Sequence, residues 1–291
     1  MINEIFYKNF DFKQAKKIIK DALKEDAGKG DVTSNALIPS GSVSKANIVF
    51  KDNGIIAGLG IFELIFKIID KKLKINFSVS DGDYLKFGTI IGNISGKTRS
   101  ILLGERLALN IIQRLSGIAT AVNNYTRRLN NKTIKILDTR KTTPNFRIFE
   151  KLAVKIGGGE NHRFGLYDMM LIKDNHISAN GGIIKTLEKL KTIKIKSGLK
   201  VEIEVKNLFE LNKVVKFGNG IVDIVMLDNF RIRDIAKAII MVDKKFKIEV
   251  SGGVKYDILH LYSGLKGIDF ISVGAVTHSV KSTDISLDFV P

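Results

Sequence analysis

Apolar residues recur at Phe12, Ala15, Ile18, Ile19, Ala22 and Leu23, the three-to-four spacing of a helix with one buried face. Leu73, Ile75, Phe77 and Val79 instead alternate with polar neighbours, which predicts a half-buried strand closed by a turn at Asp81-Gly82-Asp83. A helical pattern follows from about Ser100 to Leu129, with Gly104 and Gly117 as its weak points. Residues 1 to about 115 therefore read as a unit that mixes helices with alternating strands.

Past residue 130 the rhythm changes to short apolar runs separated by helical stretches, at Ile134–Leu137, Met169–Ile172, Val201–Val205, Val222–Leu227, Ile248–Val250 and Ile268–Val273. Repeated strand and helix units imply parallel strands with helical crossovers. Asp138 with Arg140, Lys173 with Asp174, Glu204, Asp228, Ser251 and Gly274 each close or follow one of these runs. In a β/α barrel the C-terminal edge of the strands holds the active site. An open doubly wound sheet also puts ligands at strand ends, but around one switch point. Polar groups at nearly every end favour the barrel.

Composition mainly excludes. With 291 residues, 44% apolar and 26% charged, the chain has material for one large barrel or for a barrel with a smaller companion domain. It contains no cysteine, so disulfides, thiolate nucleophiles and cysteine-ligated zinc are out. No run approaches the roughly 18 uninterrupted apolar residues of a membrane span. Met1 to Phe10 lacks a basic head followed by an apolar block. The expectation is a cytoplasmic protein without a membrane partner. A formal charge of +17 raises the question of nucleic acid. The lysines are dispersed, however (Lys71, Lys72, Lys191, Lys194, Lys196, Lys244, Lys245, Lys247), and no basic run is interleaved with stacking aromatics. No nucleic-acid partner is expected, and what the charge can do is steer small anions.

The chemistry concentrates in Asp138-Thr-Arg-Lys-Thr-Thr-Pro144, Gly157-Gly-Gly-Glu-Asn-His-Arg163 and Leu171-Ile-Lys-Asp-Asn-His176. Arg140, Lys141, His162, Arg163 and Lys173 bring five potential cations to loops on one face. Arginine forks grip carboxylates with paired hydrogen bonds and lysine supplies a compact charge, so the mixture suits a ligand bearing carboxylates and phosphates. Glu202 and Glu204 share one face of a strand and Asp228 closes the next. Such carboxylates serve either as general acid and base or as ligands to a hard cation that also binds phosphates. Ser251-Gly-Gly253 and the segment from Gly274 follow the last strands, where barrels form a phosphate cup from backbone N–H groups.

These three blocks resemble the central signature of the quinolinate phosphoribosyltransferases, also called nicotinate-nucleotide pyrophosphorylases (carboxylating). The resemblance extends to Glu25-Asp-Ala-Gly-Lys-Gly-Asp-Val-Thr33, Glu105-Arg-Leu-Ala-Leu-Asn110, Arg114-Leu-Ser-Gly-Ile-Ala-Thr120, Val201-Glu-Ile-Glu-Val205, Met226-Leu-Asp-Asn229, Ser251-Gly-Gly253 and Ile271-Ser-Val-Gly-Ala275. It implies an α/β fold: an N-terminal α/β sandwich domain over residues 1–115, a C-terminal β/α barrel with fewer than eight strands over 116–278, and a tail, 279–291, that packs back on the N-terminal domain. It also implies a homodimer in which the N-terminal domain of one subunit covers the barrel mouth of the other.

By the same resemblance, Thr139, Arg140, Lys141, His162, Arg163 and Lys173 hold quinolinate, and Arg106 reaches in from the partner subunit. Phosphoribosyl pyrophosphate would meet Lys141, Asn175, Glu204, Asp228, Ser251, Gly252, Gly253, Ser272, Val273, Gly274 and His278. Glu204 and Asp228 would hold magnesium, the expected cofactor, shared with the pyrophosphate. The implied reaction is phosphoribosyl transfer with decarboxylation, giving nicotinate mononucleotide in NAD biosynthesis. Strong neutralisation of the 2-carboxylate opposes its loss, so the 3-carboxylate should be the more tightly paired. Competing readings are a related transferase acting on another pyridine or azole acid, an aldolase or isomerase with Lys173 as a Schiff-base amine, and a basic nucleic-acid-binding protein. Asn145 stands where relatives often carry glycine, and asparagine tolerates the left-handed turn expected there. Leu107 replaces a commoner small polar residue beside Arg106.

Overall fold

A computed structural model describes residues 4–193 and 198–290. Lys194 and Lys196, among the dispersed lysines, lie outside the described residues. The chain divides into two compact units. The first comprises Met1–Asn123, Lys141–Gly158 and Ala275–Pro291, and the second Asn124–Arg140 and Gly159–Gly274. A single cut near residue 115 does not describe this division, because Arg114 ties three distant segments together. Its guanidinium meets the buried Glu150 carboxylate at 2.9 Å and donates to the carbonyls of Thr277 and Val280. Removing either charge would strand the other in a low-dielectric interior, which is why the segments 141–158 and 275–291 stay with the first unit.

The first unit is built on a four-stranded antiparallel sheet, ordered Ile285–Val290, Val43–Phe50, Thr89–Lys97, Lys74–Phe77. The C-terminal strand pairs with Val43–Phe50 from Lys45 opposite Val290 to Phe50 opposite Ile285. The helix expected from residue 12 spans Phe12–Ala27 and starts with the Asp11 carboxylate accepting from the Gln14 N–H. Helix Leu59–Ile69 buries Ile61, Phe62, Ile65 and Phe66, and the Phe62 ring meets Phe77 of the sheet edge-on at 6.0 Å. The N–H groups at its start, Gly58 and Leu59, donate to Asp81, which also accepts from the Tyr7 hydroxyl at 2.8 Å. The predicted turn therefore exists, but its first aspartate is a buried helix cap. Gly82 takes φ 96°, a conformation that glycine adopts at little cost.

The long helix runs unbroken from Thr98 to Leu129. The two glycines expected to weaken it are close-approach points instead. A Cβ at Gly104 would lie 2.6 Å from both Phe66 and Ile69, and one at Gly117 would collide with the Lys281 backbone. The packing gained where the chain comes near outweighs the roughly 1 kcal/mol that glycine costs in a helix.

The second unit carries six parallel strands in the order Lys135–Leu137, Phe270–Ser272, Lys247–Ser251, Ile224–Asp228, Val201–Val205, Met170–Ile172. This is an α/β barrel fold with fewer than eight strands. Helices Ile183–Thr192, Leu208–Phe217 and Ile232–Val242 supply crossovers, burying Leu187, Leu211, Val214, Ile235 and Ala238. Every strand therefore points its C-terminal end the same way, and the residues beyond those ends share one edge.

Candidate active site

Asp138 follows the first parallel strand and is fully buried. Its carboxylate accepts the His162 N–H at 2.9 Å and the Asn161 side-chain amide at 2.7 Å, which fixes the loop that delivers His162 and Arg163. The next turn is held by Asp168, which accepts from the N–H groups of Phe164 and Gly165 at 2.6 and 2.9 Å. Asn145 takes φ 61°, as a residue able to occupy the left-handed region should.

Arg163 is only 9% exposed, yet its guanidinium makes a single long hydrogen bond among the described residues, 3.4 Å to the Met169 carbonyl. Burial and then the like charge of Arg140 both push its pKa down, while Glu202 and Asp168 favour the charged form. Most of its donors are thus left for an anion. Lys173 contributes a third positive charge that stabilises the carboxylates of Glu202 and Glu204. Arg140, Arg163 and Lys173 accordingly sit in one electrostatic neighbourhood, as separate strand ends on one edge require.

His162 turns inward. Its Nδ1 accepts the Arg163 N–H at 2.7 Å, and its Nε2 lies 3.0 Å from Glu202 and 3.5 Å from Glu249. Glu249 in turn accepts the Ser272 hydroxyl at 2.6 Å. Burial, above all, raises the pKa of Glu202 to about 7 and that of Glu249 to about 8; the charge of Glu202 pushes Glu249 further up, whereas the hydrogen bond between the two favours ionisation of Glu202. At neutral pH the pair holds a proton.

Nearer the strand ends, Glu204 has a raised pKa, first through burial and then through the charge of Asp228. Asp228 accepts from the Asn229 amide at 2.9 Å, and Asn229 has a left-handed backbone at φ 57°. Ser251 pairs in register with Asp228, and Gly252 and Gly253 take φ 78° and 62°. A Cβ at Gly252 would come within 2.7 Å of the Asp228 carboxylate, so the glycine is required there. Two crowded carboxylates beside a turn with unusual backbone form a hard-oxygen cradle at the edge that holds the cations.

The remaining expected residues fall in different places. Thr139 is half-buried and Asn175 exposed at the same edge. Ser272 is buried and spends its hydroxyl on Glu249, and the Val273 N–H is taken by the Leu137 carbonyl at 3.0 Å. Those two groups are used in holding the barrel together, which leaves Ser251 to Gly253 and Gly274 at the edge. Arg106, Lys141 and His278 belong to the first unit. Arg106 is exposed on the long helix, the Lys141 carbonyl accepts from Thr277 at 2.8 Å, and the His278 ring meets the Ser279 hydroxyl at 2.7 Å.

The family model for the quinolinate phosphoribosyl transferase C-terminal domain matches residues 118–288, and that for the N-terminal domain matches 31–116. The chain belongs to the quinolinate phosphoribosyltransferase family. It is 41% identical over 289 residues to quinolinate phosphoribosyltransferase [decarboxylating] 1b of Nicotiana tabacum, with 94% of this chain and 81% of that protein covered. A probable nicotinate-nucleotide pyrophosphorylase [carboxylating] of Bacillus subtilis is 41% identical over 280 residues, covering 94% and 93%. Among solved structures, NadC from Streptococcus pyogenes superposes with a TM-score of 0.90 at 38% identity, covering 96% and 98%. Human nicotinic acid phosphoribosyltransferase, at 11% identity and a TM-score of 0.61, shares the fold.

In this phosphoribosyltransferase family member, sequence reasoning missed Glu249 and read Glu202 only as sharing a strand face with Glu204. Both lie fully inside the second unit. A signal existed: each is a charged residue within a short apolar run that the strand pattern predicts to be buried, and buried charges need partners. Among the described residues, no helix is long and apolar enough to cross a membrane.

Proposed function

We propose that this chain transfers the phosphoribosyl group of phosphoribosyl pyrophosphate to quinolinate with decarboxylation, releasing pyrophosphate and CO2 and giving nicotinate mononucleotide for NAD biosynthesis. The observation that carries this reading is Arg163, buried with most of its donors unspent beside the like charge of Arg140. Like charges gathered at one edge repel unless an anion joins them, and a pyridine dicarboxylate supplies two carboxylates at fixed separation.

Arg140, Arg163 and Lys173 hold the acid's carboxylates, with the arginine forks on the 3-carboxylate. The backbone N–H groups from Ser251 to Gly253 and at Gly274 meet the 5-phosphate. Glu204 and Asp228 fit magnesium, because their oxygens are hard donors, and burial and then the charge of Asp228 make the ionised Glu204 costly unless a cation joins it. When bound there, the ion neutralises charge on the leaving pyrophosphate. The ring nitrogen attacks the anomeric carbon as pyrophosphate departs, the positive ring nitrogen accepts the electron pair left by CO2, and C2 takes up a proton. The protein contributes positioning and preorganised charge, and no covalent enzyme intermediate is needed. Arg106 completes the site from the other subunit of a cytoplasmic homodimer.

The test follows CO2 from quinolinate labelled in its 2-carboxylate, together with pyrophosphate, with and without magnesium. Release of both in equal amounts is expected. Transfer to nicotinate with no CO2 from quinolinate would replace this reading with that of a related transferase.

A further inference from the structure

The inward-facing cluster in the second unit has no part in the steps above, yet its Glu202 and Glu249 side chains are buried. His162 Nδ1 accepts the Arg163 N–H, so that nitrogen carries no proton and the neutral ring has its hydrogen on Nε2. Nε2 points at Glu202, 3.0 Å away. Among the described residues, no N–H or hydroxyl makes a well-aligned hydrogen bond to either Glu202 oxygen, although the side chain is fully buried. A buried carboxylate in that position needs donors. The groups within reach are the His162 ring and the carboxyl of Glu249, and the potential ligand atoms of all three lie within 4.8 Å of one another. Glu249 has one oxygen engaged by the Ser272 hydroxyl, which leaves its other oxygen as the place for a proton directed at Glu202.

The directions are mutually consistent: Ser272 donates to Glu249, Glu249 to Glu202, His162 to Glu202, and the Arg163 N–H to His162. We propose that Ser272, Glu249 and Glu202 form a buried brace that fixes the His162 ring in its Nε2–H form and, through the Arg163 N–H, fixes the backbone from which Arg163 grips the substrate carboxylate. Glu202 and Glu249 are positioning residues, acting through His162 and Arg163. The link to catalysis rests on the phosphoribosyl-transfer reading, whereas the tautomer and the proton on Glu249 do not.

The experiment combines kinetics with nitrogen-15 spectra of histidine-labelled protein, in which the His162 signals are assigned by their loss in His162→Gln. Wild type should show a neutral His162 protonated at Nε2 near pH 7. Glu249→Leu should lower kcat/KM for quinolinate about 10- to 100-fold, the scale of a lost buried charge-assisted hydrogen bond. Glu249→Gln, whose amide donates to Glu202 and whose carbonyl accepts from Ser272, should recover activity to within about threefold of wild type. In Glu202→Gln the His162 signals should move away from the wild-type tautomer. A His162 protonated at Nδ1 in wild type, or a Glu249→Gln as impaired as Glu249→Leu, overturns the brace. So does a stoichiometric divalent metal in the purified protein whose chelation shifts the His162 signals, since the three groups would then be ligands. Should Glu202→Gln fail to fold, the wild-type spectrum and the Glu249 pair still decide. If wild type releases no CO2 but His162 has the expected tautomer, the functional reading fails and the brace stands.

Discussion

Replacing Arg163 with methionine removes the guanidinium while keeping the apolar stem that fills its buried site. In the ligand-free protein the charge is poorly accommodated: burial and Arg140 both oppose it, and its one hydrogen bond among the described residues is 3.4 Å long. Glu202 loses a favourable charge at the same time, so the two effects partly cancel. The expected change in unfolding free energy is no more than about 1 kcal/mol, or roughly 2–4 °C in Tm for a chain of this size. Catalysis should respond very differently. A fork on a carboxylate makes two charge-assisted hydrogen bonds of about 1.5–3 kcal/mol each, so kcat/KM should fall by roughly 10²- to 10⁴-fold. Release of labelled CO2 across a range of quinolinate concentrations measures the ratio, and a melting curve with and without quinolinate measures binding separately. Arg163→Lys, which keeps the charge and loses the fork, should fall between the two. A variant within tenfold of wild-type kcat/KM would refute the assignment, as would a large loss of ligand-free stability with an unchanged ligand-induced shift.

The raised Glu249 pKa also carries a sign. The folded protein keeps a proton up to about pH 8 that an unfolded chain releases in the ordinary carboxylate range. Stability should therefore fall by about 1.4 kcal/mol per pH unit for that proton from roughly pH 4.5 to 8, then level, and urea titrations of Glu249→Gln should lack this part of the slope. Asp228→Asn and Glu204→Gln should raise the magnesium concentration for half-maximal activity at least about tenfold, with quinolinate binding unchanged by calorimetry. Gly117→Ala should cost about 1–3 kcal/mol in urea unfolding, because the new methyl group meets the Lys281 and Ser282 backbone, outweighing the helical gain of roughly 1 kcal/mol. Mixing inactive Arg106→Ala with inactive Arg163→Ala, after subunit exchange, should restore about a quarter of wild-type activity if one subunit supplies Arg106 to the other's barrel. No recovery would place Arg106 outside the partner's site.

The sequence by itself determined the family, the succession of parallel strands, and the edge on which Arg140, Arg163, Lys173, Glu204 and Asp228 meet. Those features are local: a strand-ending polar residue, a glycine-rich turn and a basic loop each declare themselves within a few residues. What only the tertiary structure decided is which side chains the barrel turns inward. Strands buried on both faces read as continuous apolar runs, so their period does not reveal the interior face. Glu249 meets the Glu202 strand because Glu249 pairs with Met226 and Met226 with Glu204, a register across three strands far apart in the chain. The same long-range packing spends the Ser272 hydroxyl and the Val273 N–H inside the barrel, turns Gly117 into a contact point, and gathers three stretches of chain around Arg114. Sequence spacing cannot express such pairings, since burial and partnership depend on neighbours that only folding brings together.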